Sequence, residues 1–155
     1  MKILVTGNTG YIGPVLAQYL KNSREDLEII GYDQGYFAHC LTDPPYLPEF
    51  NYDEQYWGDL RDFPFEILDD IDTVVHLAAI SNDPMGKQFE KITEQINYQS
   101  SINIAKEAKA RGVSSFIFAI VKFPPEYVTS DNSVNSLTSD EPPGAGHGVG
   151  QCLLP

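Results

Sequence analysis

The sequence predicts an α/β fold, a doubly wound parallel sheet with strand order 3-2-1-4-5, and three observations carry that expectation. Ile3, Leu4 and Val5 form a short run with no polar residue, as in a strand buried on both faces of a parallel sheet. Gly7, Gly10 and Gly13 follow at once, and Val15, Leu16, Tyr19 and Leu20 then recur at helical spacing. A second strand-like run, Leu27-Glu-Ile-Ile-Gly-Tyr-Asp33, ends in a carboxylate 20 residues beyond Gly13.

The succession of strand, glycine turn and helix is a phosphate-binding arrangement. Glycines let the backbone turn tightly and approach a pyrophosphate, and a helix N-terminus presents free N–H groups and partial positive charge. Pro14 suits the first helical turn, where its missing N–H costs nothing. The spacing Gly-x-x-Gly-x-x-Gly departs from Gly-x-Gly-x-x-Gly, so the strand–helix context carries the reading, against the alternative of an ordinary turn. Asp33 at the end of the second strand suits the adenosine ribose hydroxyls of a dinucleotide. It also repels a 2′-phosphate, and the next basic residue is Arg61, so the pattern favours NAD over NADP. The competing reading of Asp33 is a solvent-facing residue at a strand end.

The remaining elements follow in order. Tyr56-Trp57 reads as a short third strand, and Asp59-Leu60 after it suits an adenine, the carboxylate accepting from the amino group and the leucine packing on the ring. The alternative is a cap on the short segment Phe65 to Leu68; for Asp62 the cap is the preferred reading, and for Asp59 both stand. Val74-Val-His-Leu-Ala-Ala79 reads as the fourth strand, its small terminal residues allowing close approach of a dinucleotide. His76 within it is expected to be a packed, hydrogen-bonded core histidine rather than a base. From Phe89 to Arg111, Ile92, Ile96, Ile102, Ile104, Ala105 and Ala108 keep a helical period that stops at Gly112. Val113 to Ala119 is the fifth strand.

Thr6-Gly-Asn-Thr-Gly-Tyr-Ile-Gly13, Asp33, Gly58-Asp-Leu-Arg-Asp62, His76-Leu-Ala-Ala79 and Asn97 together resemble the extended short-chain dehydrogenase/reductase family, and within it the nucleotide-sugar epimerases and dehydratases. The resemblance runs from residue 1 to about Ala119 and implies a Rossmann-like domain that holds NAD. It implies that Gly7, Gly10, Tyr11, Ile12 and Gly13 line the pyrophosphate and that Asp33 holds the adenosine ribose. Asp59 and Leu60 would meet the adenine, Leu77, Ala78 and Ala79 would flank the cofactor, and Asn97 matches the family asparagine before the fifth strand. The implied substrate is a nucleotide sugar.

The pattern breaks after the fifth strand. The family continues into a Tyr-x-x-x-Lys helix, where lysine lowers the phenol pKa for proton exchange during hydride transfer. Here the chain reads Ile120-Val-Lys-Phe-Pro-Pro125, Tyr127 is followed four residues later by Asp131, and no Tyr-x-x-x-Lys occurs in the 155 residues. Two units are therefore expected: 1–121, a partial NAD-binding domain, and 122–155, a Pro-, Gly- and Ser-rich tail without period that reads as disordered or non-native. Such a tail fits a truncated, rearranged or frame-shifted copy, or a natural short variant. The functional expectation is the NAD-binding portion of an epimerase/dehydratase-like oxidoreductase unable to catalyse alone; the alternative is a non-catalytic NAD-sensing or partner-binding module. In this topology Phe116 to Val121 is an exposed edge strand and a site of self-association.

Composition bounds other classes. With 42% hydrophobic residues the chain supports one core. Ten Lys+Arg against 22 Asp+Glu, a net charge of −12, argue against nucleic acid or an anionic membrane as partner. No apolar run spans a bilayer and no leader precedes the first strand, so a cytoplasmic location is expected. Cys40, Cys152 and the histidines at 39, 76 and 147 show no metal spacing. Two irregular stretches stand at the expected crevice. In Gln34–Asn51, Tyr36 and Phe37 suit covering the adenine or packing at the domain edge; Ser81–Gly86 faces the nicotinamide side.

Overall fold

The computed structural model describes residues 1–36, 38, 47–81, 89–121 and 147–153, the last as backbone only. Its strands are β1 (Lys2–Thr6), β2 (Glu28–Asp33), β3 (Glu54–Trp57), β4 (Thr73–His76), β5 (Ser115–Val121) and β6 (His147–Leu153). Helix α1 (Gly13–Ser23) follows β1. Three short 3₁₀ turns, Pro48–Asn51, Leu60–Asp62 and Phe65–Leu68, flank β3. Between β4 and β5 lie α2 (Glu90–Glu94), a π turn (Gln95–Ser100) and α3 (Ser101–Ala110).

Five parallel strands stand in the expected order 3-2-1-4-5. The middle of central β1 is apolar because both of its faces are covered: Ile3, Leu4 and Val5 are all buried. Ile3 and Val5 join Ala17 of α1, with Ile29, Tyr52 and Val75, in one core layer. Leu4 joins Ile30, Val74, Ile104, Ala108 and Phe116 in the other, beneath α3. The one-residue alternation along β1 thus assigns its side chains to two cores. Helix α3 ends as expected, with the Gly112 N–H bonded to the Lys109 carbonyl and φ of 84° at Gly112.

The chain beyond β5 removes the ground for one expectation. β6 runs antiparallel along the whole of β5, with Ser115 opposite Leu153 and Val121 opposite His147. The side of β5 that would have been a bare edge is occupied, so the ground for self-association through it falls away. Residues 147–153 of the expected tail form this strand. Gly148 and Gly150, depleted residues in strands, hid the segment from a period-based reading. The tail's remaining residues, with Lys122 and Tyr127, lie outside the described residues.

Candidate functional site

β1, β2 and β4 all end at the same border of the sheet, with Thr6 beside Tyr32 on one side and His76 on the other. The connection from β1 leaves toward β2, and β4 lies on the opposite flank of β1. The crevice outside Thr6 and His76 is therefore the point where strand order reverses, the place where open α/β sheets receive ligands.

The glycine turn sits at that point. Gly7 has φ of 71°, and a Cβ there would lie 2.6 Å from the Ala78 Cα, so only glycine lets the turn pass against the exit of β4. Its N–H bonds the Tyr32 carbonyl at 2.8 Å. Gly13 begins α1, with the Asn8 carbonyl 2.1 Å from where a Cβ would stand. No side chain caps α1, and Pro14 occupies its first turn. Among the described residues the N-terminal N–H groups of α1 thus meet no side-chain cap, and they lie beside the crevice. Tyr11 is almost fully exposed and Ile12 is exposed, both on this turn.

Asp33 ties the turn to β2. One carboxylate oxygen accepts from the Thr9 N–H at 3.1 Å, the other from the Gly35 N–H at 2.7 Å, and the side chain remains partly exposed. Trp57 stands beside Asp33 in the β2–β3 register. Tyr36 is exposed, and Phe37 lies outside the described residues.

At the end of β3, Asp59 makes a cap, but on a different turn from the Phe65–Leu68 segment expected of it. Its carboxylate caps the Leu60–Asp62 turn, accepting from the Arg61 N–H at 2.9 Å, and it also pairs with the Arg61 guanidinium. That guanidinium holds the Asp59 carboxyl below its usual range. The cap expected of Asp62 is not made. The N-cap position of the Phe65–Leu68 turn is Pro64, which has no side-chain acceptor, and Asp62 stands two residues before it. Leu60 is buried in the core. The Tyr32 phenol, which donates to the Asp59 carbonyl at 3.0 Å, is pushed up to about 12 by burial and by the charges of Asp59 and Asp62.

On the other flank, the Leu77 N–H bonds the Thr6 carbonyl, and Leu77, Ala78 and Ala79 continue β4 along the crevice. Asn97 grips the next residue from the π turn: its Oδ1 accepts from the Ile80 N–H at 2.8 Å and its Nδ2 donates to the Ile80 carbonyl at 2.9 Å. Residues 82–88 of the following loop lie outside the described residues. Beneath, His76 is fully buried, as expected of a core histidine. Its Nδ1 meets the Thr6 hydroxyl at 2.7 Å and its Nε2 the Ser101 hydroxyl at 2.8 Å, with Phe118 stacked on the ring. Burial pushes its pKa down to about 4, so the imidazole is neutral at neutral pH and braces β1 to α3.

Sequence reasoning missed the π turn, which places Asn97 against Ile80. Its trace is a polar run, Asn97 to Ser101, inside an otherwise apolar helical period: Ser100 bonds the Gln95 carbonyl and Ser101 the Asn97 carbonyl. It also missed Asn8, Tyr52 and Gln55, all bonded to the glycine turn or to one another. Among the described residues no cluster of His, Cys, Asp or Glu is able to hold a metal ion, and no helix is long and apolar enough to cross a membrane.

The model of the NAD dependent epimerase/dehydratase family matches residues 3–120, which include every element of this site. The chain belongs to that family. It is 30% identical over 124 residues to the UDP-glucose 4-epimerase of Corynebacterium glutamicum, covering 77% of this chain and 34% of that relative. An uncharacterized protein of Methanocaldococcus jannaschii is 31% identical over 126 residues, covering 76% of this chain and 38% of the relative. The chain thus spans little more than a third of the length of these relatives. Among solved structures, the UDP-N-acetylglucosamine 4-epimerase of Methanobrevibacter ruminantium M1 in complex with UDP-N-acetylmuramic acid shares the fold with TM-score 0.63 and 22% identity, over 83% of this chain and 42% of that one. MoeE5 in complex with UDP-glucuronic acid and NAD does so with TM-score 0.63 and 23% identity, over 78% and 37%.

Proposed function

We propose that residues 1–121 bind NAD, and that the chain is the cofactor-holding portion of an oxidoreductase acting on a nucleotide sugar. One observation carries the reading: a glycine turn with φ of 71° at Gly7, pressed against Ala78, opens an uncapped helix N-terminus at the strand-order reversal. Gly7, Gly10, Tyr11, Ile12 and Gly13 would meet the pyrophosphate, whose charge suits the free N–H groups of α1. Asp33 would accept from the adenosine ribose, exchanging part of its bonding to Thr9 and Gly35. Asp59 and Leu60 would border the adenine, and Leu77, Ala78 and Ala79 the cofactor beyond, on a backbone steadied by Asn97. The bound nicotinamide supplies hydride acceptance from a sugar carbon.

What the chain's own residues supply is binding and orientation. Among the described residues, the acidic side chain at Asp33 and the engagement of Arg61 with Asp59 leave no cation at the ribose for a 2′-phosphate. Calorimetric titration is expected to show tighter binding of NAD than of NADP. Asp33→Ala is expected to cost NAD roughly 1.5–3 kcal/mol, the worth of a charge-assisted hydrogen bond. Equal or tighter NADP binding by the unaltered protein would overturn the assignment.

His76 is neutral and bonded at both nitrogens, and these 155 residues hold no Tyr-x-x-x-Lys. A proton-transfer contribution of about 10²–10⁴-fold therefore has no pair to provide it. Purified chain is expected to bind NAD and to leave UDP-sugars unconverted. Turnover at the rate of a complete epimerase, in a preparation free of any host enzyme, would defeat this part of the reading.

A further inference from the structure

We propose that Gln55 and Tyr52, supplied by β3 and the segment entering it, are positioning residues that set the shape of the phosphate-binding turn through Asn8 and Gly13. The proposal rests on the dinucleotide reading above. Asn8 lies inside the glycine turn yet is fully buried. Its Nδ2 donates to Gln55 Oε1 at 2.7 Å, and Gln55 Nε2 donates back to Asn8 Oδ1 at 3.3 Å. Two carboxamides joined both ways accept only one relative orientation, so the pair transmits the position of β3 to the turn.

The pair has to cross β2, which separates β1 from β3. It does so over Gly31, the residue registered with Val5 on one side and Gln55 on the other. A Cβ at residue 31 would stand 2.3 Å from Asn8 Nδ2 and 2.4 Å from Gln55 Oε1. Glycine weakens a strand interior, and the passage of this pair is the reason for one here.

The other end of the turn is held from the same segment. The Tyr52 hydroxyl is buried and donates to the Gly13 carbonyl at 2.9 Å, with the Asn8 carbonyl 3.5 Å away. Residues 8 and 13 bound the stretch whose N–H groups would face a pyrophosphate, and both are pinned to the β3 side. A turn ordered before the anion arrives spares binding the entropy of ordering it. Asn8, Gln55, Tyr52 and Gly31 thus form one device, none of them touching the phosphate.

The test is a double-mutant cycle on the intact chain with Asn8→Ala, Gln55→Ala and their combination, beside Tyr52→Phe, which removes one oxygen. Affinity is measured for NAD and for adenosine, which lacks the pyrophosphate, and thermal unfolding is followed in parallel. Each alanine variant is expected to weaken NAD about tenfold, with the double variant little worse than either single one. Tyr52→Phe should weaken NAD several-fold, and adenosine should shift less than about twofold throughout. Lower melting temperatures with unchanged NAD affinity, or equal losses for NAD and adenosine, would overturn the proposal. Failure of the unaltered chain to bind NAD would count against the dinucleotide reading instead. Amide exchange at Gly10 then decides the positioning role: faster exchange in Gln55→Ala and Tyr52→Phe supports it, and unchanged exchange refutes it.

Discussion

On the β1 side of the crevice, the glycine turn is held by Asp33 from β2 and by Gln55 and Tyr52 from the β3 side, whereas on the β4 side the backbone past Leu77 is gripped by the Asn97 carboxamide alone among the described side chains. The first flank is assembled from a short stretch of chain: every one of those contacts joins residues within the first 60. The second depends on a helical segment that arrives some 20 residues after β4. The difference separates two tasks of one site. Recognition of a phosphate and a ribose needs N–H groups and a carboxylate in fixed places, which one βαβ unit supplies. Chemistry at a nicotinamide needs a proton carrier on the far flank, and there the sequence departs from the family pattern.

The comparison breaks most completely at Gly7, whose N–H meets the Tyr32 carbonyl and which is pressed against Ala78. Gly7→Ala puts a methyl group against the Ala78 backbone and an alanine at φ of 71°. A loss of about 3 kcal/mol or more in unfolding free energy is expected, with NAD binding abolished. Denaturant unfolding and calorimetry on the same preparation check it, and a variant of unchanged stability and affinity would mean that the turn yields at no cost.

A next, smaller effect belongs to His76, which joins the flanks from below. Its folded pKa of about 4 lies under the ordinary 6.5, so between these values the unfolded chain binds the extra proton. The contribution of His76 to stability is therefore complete above about pH 6.5 and is lost as pH falls toward 4, up to about 3 kcal/mol. The groups packed on the ring, Thr6, Ser101, Phe116 and Phe118, carry no charge that offsets this. Urea unfolding from pH 7.5 to 4.5 should show the slope, and His76→Gln, which does not titrate, should flatten it. Equal slopes in both proteins would place the proton elsewhere.

The smallest expected effect sharpens the contrast on the β4 side. Thr93, one helical turn before Asn97, has a buried hydroxyl that meets no hydrogen-bond partner among the described residues. Thr93→Val removes that oxygen at nearly constant shape and should stabilise the chain by about 1 kcal/mol. A destabilised valine variant in thermal unfolding would show that the hydroxyl is satisfied after all.

Much of this was legible in the amino-acid order, because local physics dictates it. Three adjacent apolar residues make a doubly covered strand, a glycine turn must meet something closely, and Gly112 stops a helix. The order of five parallel strands, the partnered His76 and the strand-end place of Asp33 follow from the same reasoning. Tertiary structure alone decided what depends on partners far apart in the chain. That Asn97 faces Ile80 turns on a π turn, which shifts the helix face by one residue, and that β5 is covered turns on a glycine-containing strand some 30 residues away. Asn8, Gly31 and Gln55 are three unremarkable letters, separated by 47 positions at their widest, until β2 and β3 bring them together. Periodicity reports a residue's environment only through its neighbours in sequence, whereas a hydrogen bond reports its partner in space.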